Sequence, residues 1–395
     1  MATNKQLNKL NVPHLRFPEF EGEWEKCKLG DIAALTKGSG ISKDQRSATG
    51  VPCILYGELY TTYKSEVIDS VISKTDVSDK NLVRSCANDI IIPSSGETAI
   101  DISTARCVLS SNVLLGGDLN IIRLKDGDGR FFSYQLNGVR KHDIAKIAQG
   151  VSVVHLYAES IKGLIVHFPS KKEQQKISTL LSLIDERIAT QSKLIEKLES
   201  LIKGISNKLL YSKEGVPVRL GDILKERTER TKVNNQHEVL SSTVNGLFSQ
   251  REYFSKDIAS ENNVGYKIVR LHDVVLSPQN LWMGNINYND NFDIGIVSPS
   301  YKIFFISDNY DKRYVAAMLK TYRALYDYKL ISEQGASVVR RNLNLEAFEQ
   351  LIFKIPPIDK QQEIGNTILL LKSRLETGRT LKATYQSQKQ YLLHQ

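Results

Sequence analysis

The sequence predicts a mixed α/β (α+β) protein. Two tandem globular heads are joined by two long helices that form an antiparallel coiled-coil spacer, with an internal pseudo-twofold repeat. Three observations predict this. A proline-free stretch with heptad periodicity lies mid-chain and returns in weaker form at the end. Short segments recur in the same order in both halves. Brief β-branched runs alternate with helical patches between them.

The mid-chain stretch, Ser170 to Leu210, has one glycine, Gly204. Ile177, Leu181, Ile184, Ile188, Ile195, Leu198, Ile202, Ile205 and Leu209 step by four and three, and Gln191 is the single polar break. This is a coiled-coil seam of about five heptads, on a helix roughly 60 Å long. Ser170 suits the N-cap, Glu173 completes a capping box, and Pro169 ends the preceding strand. An ordinary long core helix is the alternative. The partner is sought in Pro356–Leu393. Aligning Glu173–Ile177 with Lys360–Ile364 brings the seam back at Ile364, Ile368, Leu371 and Leu375, weakening at Gly378 and Lys382. The simplest path is antiparallel. Gly378 aligns with Gln191. A pseudo-twofold axis through the middle of the pair sets these two face to face, where a polar residue fixes register at some cost in stability. Otherwise Gln191 points to solvent at an irregularity.

The repeat continues outside the helices. Leu29-Gly30-Asp31-Ile32 returns as Leu220-Gly221-Asp222-Ile223, and Gln149-Gly150-Val151-Ser152-Val153-Val154 as Gln334-Gly335-Ala336-Ser337-Val338-Val339. Ile90–Ile92, Leu119–Leu124, Leu164–Phe168, Val274–Leu276, Tyr301–Ile306 and Leu351–Ile355 read as strands. Phe131–Lys146 and Lys312–Leu330 read as helical. The divisions expected are a first head at 1–169, a central helix at 170–213, a second head at 214–357 and a distal helix at 358–395.

The 395 residues are 41% hydrophobic and 25% charged, ordinary values for globular protein. No apolar run is long enough to span a membrane, and the first residues lack the apolar core of a secretory signal, so a cytoplasmic protein is expected. Cys27, Cys53, Cys86 and Cys107 form no C-x-x-C pair and have no histidine cluster beside them. They read as buried thiols, with neither zinc nor a disulfide framework. The net charge of +9 favours polyanionic partners.

Polar loops lie between the strands. In the first head they offer Lys37, Ser39 and Lys43; Tyr60, Thr62, Tyr63 and Lys64; Ser94, Ser95 and Thr98; and Ser152 with His155. In the second they offer Ser242, Thr243 and Asn245; Gln279, Asn280, Trp282 and Asn285; and Ser337, Arg340 and Arg341. Such side chains read base edges and grip phosphates. The alternative is solvated turns, where Gly, Ser and Asn occur anyway. Catalytic constellations are missing: no G-x-x-x-x-G-K-[ST], no G-x-G-x-x-G after a strand, no H-E-x-x-H, no G-x-S-x-G. Gly127-Asp128-Gly129 reads as a turn. The pattern points to a DNA reader, against a coiled-coil adaptor without DNA readout or a self-sufficient methyltransferase or nuclease.

With these features together the chain resembles the specificity subunit of type I restriction–modification enzymes. Val12-Pro13-His14-Leu15-Arg16-Phe17-Pro18-Glu19-Phe20 with Trp24 and Leu29–Ile32 looks like the family's opening. Pro169 with Glu173–Ile177 looks like the start of its central conserved region, and Pro356-Pro357 with Lys360–Ile364 like the distal copy. Lys360 in place of Glu173, and the poorer distal seam, depart from the pattern. The resemblance implies two target-recognition domains that each read half of a split, asymmetric DNA site. It implies a helical spacer, lined by Ile177, Leu181, Ile184, Ile188, Gln191, Ile195, Leu198, Ile202, Ile364, Ile368, Leu371 and Leu375, that binds two modification subunits. Those subunits carry S-adenosylmethionine and methylate adenine at N6. Up to two restriction subunits, using ATP and Mg, can join. This chain itself is expected to hold no cofactor and no active site.

Overall fold

The computed structural model describes residues 12–78, 81–210, 215–253, 262–334 and 340–395. The chain forms two compact units. The first comprises Met1–Ser192 with Thr380–Gln395, and the second Lys193–Arg379. The long helices, Lys171–Leu210 and Ile358–Leu393, are thus shared out, each unit holding a head and part of both.

In the first unit a five-stranded sheet runs Ala33–Lys37, Leu119–Leu124, Asp89–Pro93, Arg106–Val108, Val67–Ile68. A smaller four-stranded sheet, built on Val51–Ile54, lies beside it in sequence. Glu25–Lys28 pairs antiparallel with Ile165–Phe168, bringing the start of the head to the strand that feeds the long helix. The second unit repeats the essentials. Its four-stranded sheet runs Leu224–Glu226, Lys302–Ile306, Asp273–Leu276, Ile286–Tyr288, and Val216–Arg219 pairs with Ile352–Ile355. All six expected strands form, within a residue at their ends. Each expected helical patch breaks in two: Gly129–Asn137 and Lys141–Ile147, then Lys312–Met318 and Tyr322–Leu330. Gly138 ends the first, and the Thr321 side chain caps the fourth by accepting from the Ala324 N–H.

A buried glutamine joins head to helix in both units. Gln174 Oε1 accepts from the Asp128 backbone N–H at 2.9 Å, and its Nε2 donates to the Pro169 carbonyl at 2.8 Å. Gln361 does the same with Asp311 at 3.0 Å and Pro356 at 2.8 Å. Asp128 and Asp311 in turn cap the helices that follow them, so the Gly127–Gly129 turn is a helix start. Each glutamine satisfies two backbone groups that burial would otherwise strand. The neighbouring position differs. Ser178 Oγ donates to Asp128 Oδ2 at 2.8 Å. Gly365, its counterpart, leaves no room: a Cβ there would sit 2.6 Å from Asp311 Oδ1.

The expected capping box does not close. Ser170 Oγ accepts from the Glu173 N–H only at 3.5 Å. Arg16 takes the Glu173 carboxylate instead, with two bonds of 2.8 Å. Lys176 reaches Glu19 and lies 4.5 Å from the Phe17 ring centroid. The opening segment therefore clasps the first turns of the long helix. Lys360, which stands where Glu173 does, pairs with Glu363 on its own helix.

The seam forms as the periodicity predicts. Leu181, Ile184, Leu198, Ile364, Ile368 and Leu375 are buried, and Ile177, Ile188, Ile195, Ile202 and Leu371 half-buried. Gln191 is buried rather than solvent-facing. In the first unit the two helix segments run antiparallel, with Asp185 against Lys389 and Arg187 over the Tyr385 ring. In the second, Glu199 pairs with Arg379 at 2.6 Å, and Leu210 joins the core that holds Ile364 and Ile368. The distal seam continues past Gly378 through Lys382, Tyr385 and Lys389, all buried or half-buried. It looked weak because its later members are not aliphatic.

Candidate nucleic-acid interface

Two loops meet at the same place in each head. In the first, Ser95–Gly96 pairs with Val154–His155, His155 lying opposite Ser95. The chain reaches His155 through a tight reversal that starts at Gln149, whose N–H and carbonyl both bond to His155. At the reversal Gly150 has φ +120°, a conformation that favours glycine, and Val151 and Val153 project into solvent. The His155 ring stacks on Tyr157, with centroids 6.2 Å apart.

In the second head Ser332–Gln334 pairs with Arg341–Leu343. The Arg341 N–H donates to the Gln279 carbonyl at 3.1 Å. The Arg341 guanidinium donates to the Ser332 carbonyl and lies 6.0 Å from the Trp282 ring. Lys329 approaches the same ring at 5.8 Å. Gln279, Asn280, Trp282 and Arg341, scattered in sequence, thus share one surface with exposed Arg340. Ser337 lies outside the described residues.

Other flagged residues divide by burial. Lys37, Lys43, Thr62, Lys64, Thr98, Ser152 and Asn245 are exposed. Thr98 caps a short helix by accepting from the Asp101 N–H, and Thr243 Oγ1 accepts from the Asn245 N–H in a hairpin turn. Ser39 is half-buried and pins its loop, accepting from the Val83 N–H at 3.0 Å. Tyr60 is half-buried, and desolvation followed by the nearby Tyr56, Glu97 and Asp101 raises its phenol pKa.

Four residues do not fit a contact surface. Ser242 and Asn285 are buried against each other, Ser242 Oγ donating to Asn285 Oδ1 at 2.7 Å. Tyr63 is buried and accepts from the Ile72 N–H, and Ser94 is buried, its N–H donating to the Asp118 carbonyl at 2.8 Å. Composition cannot separate these from loop-surface residues, because internal networks use the same polar side chains. Conversely, Tyr322, Tyr326 and Lys329 on the helix Tyr322–Leu330 are exposed, and loop chemistry does not point to them because they lie on a helix. Their spacing of four and three marks one outer helix face.

Among the described residues no group of three or more His, Cys, Asp and Glu is placed to hold a metal, and no helix is long and apolar enough to cross a membrane. Burial pushes the Cys53 thiol up to about 11 and Cys107 up to about 12. Cys86, expected to be buried, is exposed.

The comparisons fit this geometry. Residues 21–200 match the model of the type I restriction modification DNA specificity domain. The type I restriction enzyme MjaVIII specificity subunit of Methanocaldococcus jannaschii is 26% identical over 212 residues, 53% of this chain and 46% of that protein. The chain therefore spans about half the length of that curated relative. The S subunit of a type I restriction–modification system from M. genitalium has a TM-score of 0.61 at 16% identity, covering 94% of this chain and 95% of that one. A chain from a study of complex assembly and conformational transition in the type I R-M system gives 0.52 at 12%, covering 96% and 98%. At these identities the likeness to solved structures is one of fold.

Proposed function

We propose that this chain, a member of the type I restriction–modification specificity family, reads a bipartite DNA site with its two heads and scaffolds the subunits that act on it. One observation carries the reading. The same two-loop construction recurs on both heads with different side chains: Ser95 and His155 on one, Gln279, Trp282 and Arg341 on the other. Equivalent frames with unlike readers suit two different half-sites, hence an asymmetric target. Phosphate contacts position each head and carry no sequence information, so discrimination falls to these loops. The +9 charge supplies on-rate and salt-dependent affinity.

The long helices set the unread spacer and offer their outer faces to two modification subunits. Those subunits hold S-adenosylmethionine, take the adenine out of the stack and methylate it. Up to two restriction subunits, with ATP and Mg, complete the complex. This chain positions and does no chemistry of its own.

The test is a methylation map. The chain is expressed with its modification subunit in a host that lacks adenine methylation, and N6-methyladenine is located by single-molecule sequencing. A split, asymmetric motif that appears only when this chain is present is the expected result. A soluble complex that leaves the DNA unmethylated would overturn the reading in favour of an adaptor.

A further inference from the structure

A cleft of about 290 Å³ lies within the second unit, lined by Asn245, Asn287, Asn289, Lys320 and Lys372 among others. The Lys320 ammonium group donates to Asn287 Oδ1 at 2.5 Å. Asn287 is buried and fixed from behind, its Nδ2 donating to Ser242 Oγ and the Thr243 carbonyl, each at 2.7 Å. Lys372 makes no hydrogen bond or ion pair among the described residues, and only Asp290, at longer range, favours its charge. Arg313 also lines the cleft, but it is paired with Asp311 at 2.8 Å. Two ammonium groups thus face one cleft without a carboxylate bound to either.

The other unit shows what is absent. Under the alignment of the two long helices Lys372 stands where Asp185 does. Asp185 accepts from Lys389, from Tyr134 Oη at 2.8 Å and from Ser65 Oγ at 2.9 Å. Glu66 completes the group by pairing with the same lysine. The first unit carries bonded counterions there, while in the second the one carboxylate beside Lys372, Asp290, acts on it without an ion pair. The physical consequence is visible in Lys320. Burial in the cleft, then the charge of Lys372, pushes its ammonium group down to about 8. Both lysines are exposed as residues, so a ligand reaches them directly from solvent.

We propose that this cleft is an oxyanion site that takes a phosphate group between Lys320 and Lys372, with the exposed Asn245 amide as a neutral donor. An oxyanion satisfies both cations at once and removes their mutual repulsion. Its lining takes in Asn245 but none of Gln279, Trp282 and Arg341, the residues assigned above to base reading in this head. Phosphate reaches it either as a free anion or as part of a DNA backbone.

The experiment uses the full chain with the substitution Lys372→Asp. As a control, Lys203→Asp makes the same charge change at an exposed position. Binding of inorganic phosphate and of a short non-specific duplex is measured by calorimetry at low salt. Lys372→Asp should weaken the bound anion by about tenfold or more, while Lys203→Asp stays within about twofold. Loss with inorganic phosphate assigns a free-anion site, and loss with duplex alone assigns a backbone contact. Equal effects of both substitutions, or no binding of either probe, would overturn the proposal. Lys372→Asp should also raise the melting temperature, because the new carboxylate pairs with Lys320 as Asp185 pairs with Lys389. That gain excludes misfolding as the cause of lost binding. The methylated motif should be unchanged, which keeps this site separate from the DNA-reading proposal.

Discussion

Asp185 and Lys372 hold the same place on two copies of one helix and carry opposite charges. Around Asp185 the first unit builds a buried group of Lys389, Glu66 and Tyr134 that fastens the end of the distal helix to the head. Around Lys372 the second unit has a cleft. About three turns earlier along the same helices, Gln174 and Gln361 make the same pair of bonds to within 0.1 Å. The difference teaches which groups a duplicated fold keeps. A side chain that satisfies buried backbone cannot change without stranding an N–H and a carbonyl. A charge can change when its partners change with it.

Breaking the buried group should have the largest effect. Lys389→Met takes the paired cation from buried Glu66 and half-buried Asp185, leaving only the unpaired influence of Arg106, which costs about 3–5 kcal/mol. Hydrogen exchange should speed up in the first unit and stay unchanged in the second. Lys372→Met should shift stability by no more than about 0.5 kcal/mol. Comparable losses from the two would erase the contrast.

The glutamine clamp sharpens the comparison from the other side. Gln174→Ala and Gln361→Ala should each cost about 1–3 kcal/mol, and by similar amounts. Exchange at the helices starting at Gly129 and Lys312 reads this directly, and a large inequality would mean that the clamp is not shared. At the adjacent position Gly365→Ala should cost about 1–3 kcal/mol by overpacking against Asp311. Ser178→Ala should cost about 1 kcal/mol for one lost hydrogen bond.

Gln191→Leu removes a buried polar group from the seam and should raise stability by about 1 kcal/mol. If Gln191 fixes register, the methylation map should then show a looser spacer. The smallest effect is chemical. With its ammonium group near 8, Lys320 should acylate increasingly as pH rises from 7 to 9, where an ordinary lysine near ~10.4 stays mostly protonated.

Periodicity alone determined the two long helices, because a seam is written in steps of four and three that packing must obey. The repeat determined that two similar heads would form, and Gln174 and Gln361 recur within its aligned segments Glu173–Ile177 and Lys360–Ile364. The clasp of Arg16 on Glu173 was not, since a capping box and an ion pair use the same carboxylate. Nor was the burial of Ser242, Asn285, Tyr63 and Ser94. Loop chemistry reports which groups can hydrogen-bond, and only the tertiary structure decides whether their partners are internal. The same holds for Lys389, a lysine in an apparently failing seam. Its charge is tolerable there because Glu66 and Asp185, distant in sequence, are brought to it by the fold, and no spacing rule along the chain contains that meeting.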